Sequence, residues 1–295
     1  MRVFLAGGTG HVGGAILDRL LEDGHEVSAL SRGAGKLAGR EGLTPVPGDI
    51  GSPDWAGALK GHAAALNAVG LLRARGRNTF ERVVVEGTRN LVEACRAHGV
   101  PRFVQVSANG IASARVPYQR TKLEAEGIVT ASGLRWTILR PSIVYGPRDD
   151  FTNRFARLMR LGVVPYFGHG RYALAPVADQ DVAAAAVKSL TIRAAEGRTF
   201  HLCGPDRIEF RDLLKEIKRA SGRHALVVRA PKVSGYALAA VFGRMKWFPA
   251  DLDALTMLFE GNTCPDEDWK RVLGIEPRPF GPGIRAYLGR TGPRT

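Results

Sequence analysis

Cysteine is scarce in this chain: Cys95, Cys203 and Cys264 are the only three among 295 residues. Thiols so few and so widely separated exclude a disulfide framework and a zinc ribbon. They read as buried packing or bystanders in a reducing, cytoplasmic setting. Long apolar runs are missing as well. Residues 1–8 show no charged region followed by an apolar stretch, so no secretory leader is expected. The most apolar late segment, 233–245, is broken by Gly235, Gly243 and Arg244. It falls short of the roughly 20 apolar residues that a bilayer crossing needs. Flanked by Lys232, Lys246 and Trp247, it suits either a helix lying on a membrane surface or one packed on its own domain, the latter being the plainer expectation.

Acidic residues are in deficit, 28 Asp+Glu against 42 Lys+Arg, a formal net charge of +14. Such an excess attracts polyanions. Arginine is nevertheless spread along the chain rather than gathered in a block or interleaved with stacking aromatics, so no nucleic-acid partner is expected. A basic surface facing an acidic protein or the inner face of a membrane fits better. The seven histidines show no paired-ligand spacing, and no metal site is expected.

What the chain does have is a near-average globular composition, 45% hydrophobic and 24% charged, with 36 glycines. Short β-branched runs alternate with helical patterns, the mark of repeated strand–helix–strand units and a parallel sheet. Strands are expected at 2–6, 26–30, 43–47, 63–68, 103–107, 134–139 and 199–203, and helices at 13–23, 78–98, 118–131, 149–162 and 179–191. The fold class is therefore α/β, a doubly wound parallel sheet of Rossmann type with a smaller, mostly helical C-terminal domain on the substrate side. A nucleotide domain over 1–145, to which 176–204 returns, and a smaller domain from 146–175 and 205–295 are the expected organisation.

Between the first strand and first helix stands Gly7-Gly8-Thr9-Gly10-His11-Val12-Gly13. Glycine there permits a tight turn and close backbone approach, and the amides and positive dipole end of the helix favour a diphosphate. At the end of the second strand an acidic residue would bind the ribose hydroxyls of NAD, but the chain has Ser31-Arg32. The guanidinium can pair with a 2′-phosphate, which favours NADP(H) and leaves NAD(H) as the alternative. A solvated surface arginine is the plain reading. Asp49-Ile50 follows the third strand, where a short acceptor can meet an adenine amino group or simply cap a turn. Tyr118 and Lys122, four apart on a helix, share one face, so the ammonium is expected to lower the phenol's pKa and let it serve as acid and base in hydride transfer. The arginines at 148, 154, 157 and 160 are spaced to put cations on one helix, facing an anion or only solvent.

These motifs, with Gly48-Asp49-Ile50, Asn67-Ala68-Val69-Gly70, Glu86-Gly87-Thr88, Gln105-Val106-Ser107-Ala108 and Leu139-Arg140-Pro141-Ser142, resemble the extended and atypical short-chain dehydrogenase/reductase superfamily of the epimerase/dehydratase type. The run 136–147 with Asp150-Phe151 and Asn153-Arg154 is similar to the subgroup containing the nucleotide-binding accessory subunit of respiratory complex I. The resemblance implies that Gly7, Thr9, Gly10, His11 and Val12 line a pyrophosphate. Arg32 would meet the adenine ribose phosphate, Asp49 and Ile50 the adenine, and Ala68, Val69 and Gly70 the ribose. Lys122 would hold the nicotinamide ribose, with Pro141, Ile143 and Val144 beside the nicotinamide, and Tyr118 takes the acid/base position. Typical members carry a Ser or Thr where alignment on Ser107 places Asn109, so the usual triad is incomplete. Two functions stay open: an NADP(H)-preferring oxidoreductase or epimerase of a small carbonyl, alcohol or nucleotide sugar, and a weakly catalytic NADPH-binding accessory protein of a membrane complex.

Overall fold

The computed structural model describes residues 1–289 apart from 38, 72, 75 and 244–250. The chain begins β1 (Arg2–Ala6), α1 (His11–Glu22), β2 (Glu26–Ser31), β3 (Leu43–Pro47) and β4 (Ala64–Asn67). A π-helical stretch, Glu81–Glu86, leads into α2 (Gly87–Ala97), followed by β5 (Arg102–Val106), α3 (Pro117–Thr130) and β6 (Arg135–Pro141). It then leaves through β7 (Val144–Tyr145), α4 (Phe151–Leu158), β8 (Val163–Phe167), β9 (Ala173–Leu174) and β10 (Val177–Ala178), and returns as α5 (Asp179–Ser189) and β11 (Arg198–Leu202). A second excursion comprises β12 (Ile208–Glu209), α6 (Phe210–Ala220), β13 (Leu226–Ala230), α7 (Lys232–Phe242) and α8 (Leu252–Glu260). Then come α9 (Asp268–Leu273) and α10 (Phe280–Leu288).

Seven strands form one sheet in the order β11-β6-β5-β4-β1-β2-β3, every pair parallel. A parallel sheet covered on both faces needs strands that are apolar throughout. In β1, Val3, Phe4, Leu5 and Ala6 are all fully buried. Helices α1 and α5 pack together, as do α2 and α3. Beneath the sheet lies a core that includes Phe4, Leu30, Trp55, Leu91, Cys95 and Phe103. Burial pushes the Cys95 thiol up to about 12, so it is an inert packing group. Winding runs outward from β1 to β3, then restarts at β4 on the other side of β1. That reversal opens a crevice at the carboxyl ends of β1 and β4, where such sheets bind ligands.

The chain divides into two compact units. The first comprises Met1–Pro141, Asp179–Leu202 and Asp266–Glu276, and the second Ser142–Ala178, Cys203–Pro265 and Pro277–Thr295. Residues 266–276, expected in the smaller domain, therefore belong to the sheet unit. The buried side chains of Trp269 and Leu273 put α9 against α5 and β11, and Arg198 reaches Asp268 at 2.8 Å. Among its described residues the second unit carries, besides helices, the two-stranded ladders β7–β10, β9–β12 and β8–β13. Its core gathers Tyr145, Phe210, Leu213, Ile217, Phe280 and Ile284.

One expectation is overturned. Cys203 and Cys264 form a disulfide, their Cα atoms 5.9 Å apart across 61 positions of sequence. Ala175 brings the two segments together: its N–H donates to the Asn262 carbonyl, and its own carbonyl accepts from Gly204 N–H. Spacing along the chain carries no trace of that juxtaposition. The reducing setting inferred from unlinked thiols loses its support. Among the described residues no helix is long and apolar enough to cross a membrane. In 233–245, α7 covers the first part, while Arg244 to Trp247 lie outside the described residues.

Candidate functional site

The turn after β1 is built so that side chains are excluded. Gly7 has φ +93°, and a Cβ there would stand 2.8 Å from the Ala68 carbonyl carbon. A Cβ on Gly13 would come within 2.0 Å of the Gly7 oxygen. Gly10 N–H donates to that same oxygen at 2.9 Å and, at the N-cap, Gly10 places no side chain over the first amides of α1. Thr9 is exposed and His11 and Val12 are half-buried at the start of the helix. Backbone thus lies open to a ligand where the helix dipole is positive, the arrangement that holds a diphosphate. His11 was read only as part of this loop. It also faces Asp179, the first residue of α5, at 3.7 Å, a partner that no local spacing announces.

At the ends of β2 and β3 the charges are arranged differently from the sequence reading. Ser31 accepts the Gly33 N–H on its hydroxyl. Arg32 is exposed and donates to the Asn78 side chain at 2.7 Å. Asp49 is committed on both oxygens, one to the Gly51 N–H and the other to Arg82 at 3.1 Å. Partial burial works against its charge, but the amide bond and the pull of Arg82 and Arg32 prevail and hold the carboxyl below its ordinary range. Arg82 escaped the sequence reading, since nothing marks it among the chain's many arginines. Ile50 packs in the core against Gly87, where a Cβ would meet it at 2.9 Å, and its carbonyl accepts from Asn90.

Ala68 closes the crevice from the β4 side, its N–H on the Ala6 carbonyl. Val69 N–H is turned back onto Asn67, whose buried amide also donates to Thr88 and Gln105. Lys122 is buried on α3 and points its Nζ at the carbonyls of Val106, 3.2 Å, and Val69, 3.5 Å. Loss of hydration pushes its pKa down to about 8, Glu126 one turn on opposing the shift. Beside Val106, Ser107 is buried with its hydroxyl oxygen unpartnered among the described residues.

The expected activation of Tyr118 by Lys122 is corrected by the structure. Burial pushes the phenol up to about 12, and the ring's neighbour is Phe80, edge-on at 6.1 Å. Lys122 spends its donors on backbone carbonyls instead. A phenol so held is a proton donor at neutral pH rather than a resident base.

Asn109 is buried, its N–H on the Pro141 carbonyl and its side-chain oxygen 2.7 Å from His201 Nδ1. Burial, with Arg140 nearby, lowers the His201 pKa, so the neutral ring donates through Nδ1. The side-chain oxygen of Asn109 is thus engaged with His201. His201 sits on β11 opposite Arg140 of β6, and Arg140 forks onto the buried carboxylate of Glu126. His201 has no motif around it and was missed. Ile143 and Val144 belong to the second unit, where both join the short ladder with Val177. Of the arginine row there, Arg154 and Arg157 pair with Asp150 rather than standing as a bare cationic face.

The model of a family described as NAD(P)H-binding matches residues 7–193. The chain is 26% identical over 274 residues to the 2-alkyl-3-oxoalkanoate reductase of Stenotrophomonas maltophilia, 83% of each chain. It is 26% identical over 202 residues to the mitochondrial NADH-ubiquinone oxidoreductase 40 kDa subunit of Neurospora crassa, covering 68% of this chain and 53% of that one. In fold it is similar to a UDP-glucose 4-epimerase of Thermotoga maritima, TM-score 0.74 over 98% of this chain and 97% of the other, at 19% identity. With a side-chain-free diphosphate turn at the switch point of a parallel sheet and a family match over more than half its length, the chain belongs to the NAD(P)H-binding family, built on the short-chain dehydrogenase/reductase fold of the epimerase/dehydratase type.

Proposed function

We propose that the protein is an NADP(H)-preferring reductase of a small carbonyl compound, with Tyr118 as the proton donor. Three features of this chain fit a nicotinamide coenzyme: the turn at Gly7 to Gly13 that a Cβ would fill, the buried Lys122 ammonium among carbonyls, and the unpartnered Ser107 hydroxyl. When bound, the nicotinamide supplies the hydride. Glycine-loop amides would hold the diphosphate and Lys122 the ribose hydroxyls. The observation that carries the reading is the under-satisfied Lys122 ammonium beside the unpartnered Ser107 hydroxyl, one helical turn from a Tyr118 phenol that is protonated at neutral pH and can hand its proton to an oxygen that becomes a hydroxyl. Tyr118→Phe should lower kcat by about 10²–10⁴-fold and leave the NADPH Kd within about twofold. Unchanged turnover of an active substrate in that variant would refute the assignment.

The coenzyme preference rests on Arg32 and Arg82, two guanidiniums near one carboxylate at the end of the second and third strands. Arg32→Ala should weaken NADPH by about 10–100-fold and NADH little, the size of a lost charge-assisted fork. Equal losses for both coenzymes would remove the phosphate from Arg32.

A second reading has its own support. Asn109 is already engaged with His201, and nothing pulls Tyr118 toward the phenolate, so the site suits a protein that keeps its coenzyme and turns over little. Protein that retains NADPH through dialysis yet reduces no carbonyl, quinone or nucleotide sugar would establish that reading over the first.

A further inference from the structure

The second unit carries an apolar surface that no part of the coenzyme site uses. Among the described residues, seven of the nine exposed large apolar side chains fall between Leu161 and Val241. Strands β8 and β13 pair in parallel with Leu226 opposite Val163 and Val228 opposite Pro165. Alternation puts these four on one face, and all four are exposed, while Val164 is buried on the other. Phe167, on that same outward face, is covered by α7, where a Cβ on Gly235 would stand 2.6 Å from its ring. Helix α7 therefore lies on the ribbon's outward side. Its own far flank, Val233, Ala237, Ala240 and Val241 at helical spacing, faces solvent, with Val233 78% and Val241 66% exposed. A water-facing helix flank without a single charge, continued by an apolar ribbon, is an interaction surface rather than ordinary exterior.

The charge around it identifies what covers it. Between Asp150 and Asp179, and again between Glu216 and Asp251, the chain has no Asp or Glu, yet those two stretches hold eleven Lys and Arg. They are the stretches that build β8, β13 and α7. Arg160, Arg223, Arg229 and Lys232 have no carboxylate partner among the described residues, in contrast to the paired Arg154 and Arg157. Apolar side chains set among unpaired cations, with anions excluded over such lengths, match an acidic headgroup layer above an acyl boundary. A second copy of this chain would instead bring like charge against like.

We propose that the outward face of β8, β13 and α7 seats the protein on an anionic lipid surface. The surface lies wholly within one unit and is independent of the coenzyme reading. Flotation of the full chain with vesicles of phosphatidylcholine containing 30 mol% phosphatidylglycerol tests it. At low salt the protein should float with these vesicles and not with pure phosphatidylcholine, and binding should fall steeply by 0.5 M salt. The double change Val233→Glu and Val241→Glu, at exposed positions, should leave the thermal melt in place and cut vesicle binding at least tenfold. Arg229→Ser with Lys232→Ser, leaving the apolar residues intact, should also weaken it severalfold. No flotation of the parent protein overturns the proposal, as does undiminished binding by the Glu pair. A concentration-dependent dimer, seen by light scattering and abolished by the Glu pair, would also overturn it in favour of a second copy.

Discussion

Among the described residues, Arg102 and Lys122 are two cations buried in the sheet unit, at opposite ends of β5, and they are treated differently. At the amino edge, Arg102 is all but enclosed and every arm of its guanidinium is used: the Ser189, Phe103 and Arg135 carbonyls and the Thr137 hydroxyl all accept from it. At the carboxyl edge, Lys122 is equally enclosed but among the described residues has only two carbonyl contacts, at 3.2 and 3.5 Å, beside a serine hydroxyl with no partner there. Burial lowers both, Arg102 to about 10 and Lys122 to about 8. The Arg102 site is complete as it stands and ties β5, β6 and α5 together. The Lys122 site is under-satisfied, and buried polar groups left short of partners mark the place where a ligand completes the structure. One edge holds the fold, and the other is where the proposed coenzyme would complete the set of partners.

Removing the charge at each edge should break that symmetry in opposite senses. Arg102→Met removes every hydrogen bond that the guanidinium gives to the Ser189, Phe103 and Arg135 carbonyls and the Thr137 hydroxyl, and should cost about 3 kcal/mol of stability, read as a lower denaturant midpoint. Coenzyme affinity of the protein that remains folded should be unchanged. If Arg102→Met were as stable as the parent, the amino edge would not be the tie described. Lys122→Met should do the reverse. Because the folded pKa lies near 8 and the ordinary value is 10.5, folding expels a proton from Lys122 between those limits. The buried charge therefore weighs against folding at neutral pH, and stability rises with pH from about 8 until the penalty vanishes above 10.5. Lys122→Met should flatten that rise and gain on the order of 2 kcal/mol at pH 7, while weakening NADPH binding. Equal losses of stability in both variants would erase the distinction between the edges.

The same contrast explains what could be read without coordinates. Glycine spacing from Gly7 to Gly13 is local, because a strand-to-helix turn that excludes Cβ is specified by neighbours in sequence, and the parallel sheet follows from apolar strands alternating with helices. Pairings across the fold are not local. Asn109 meets His201 from 92 positions away, Asp49 meets Arg82 from 33, and Cys203 meets Cys264 from 61. Each depends on which strands become neighbours. The Tyr118–Lys122 reading failed for a related reason: helical spacing tells which side chains share a face, not how deeply that face is buried. Depth sends the phenol up and the amine down.

The smallest change sharpens the comparison most. Ser107 is buried, yet its hydroxyl has no partner to lose, so Ser107→Ala removes an unsatisfied polar atom and should leave stability unchanged or raise it by about 1 kcal/mol. A serine kept only for the fold would behave in the opposite way, since deleting a satisfied hydroxyl costs about that much. If the carboxyl edge is reserved for the coenzyme, the same variant should bind NADPH more weakly, severalfold by fluorescence titration, while melting at or above the parent temperature. A stability loss without any change in affinity would make Ser107 a second Arg102, part of the frame. A gain in stability bought with affinity is what an incomplete site requires, because the group that destabilises the empty protein is the one the ligand comes to satisfy.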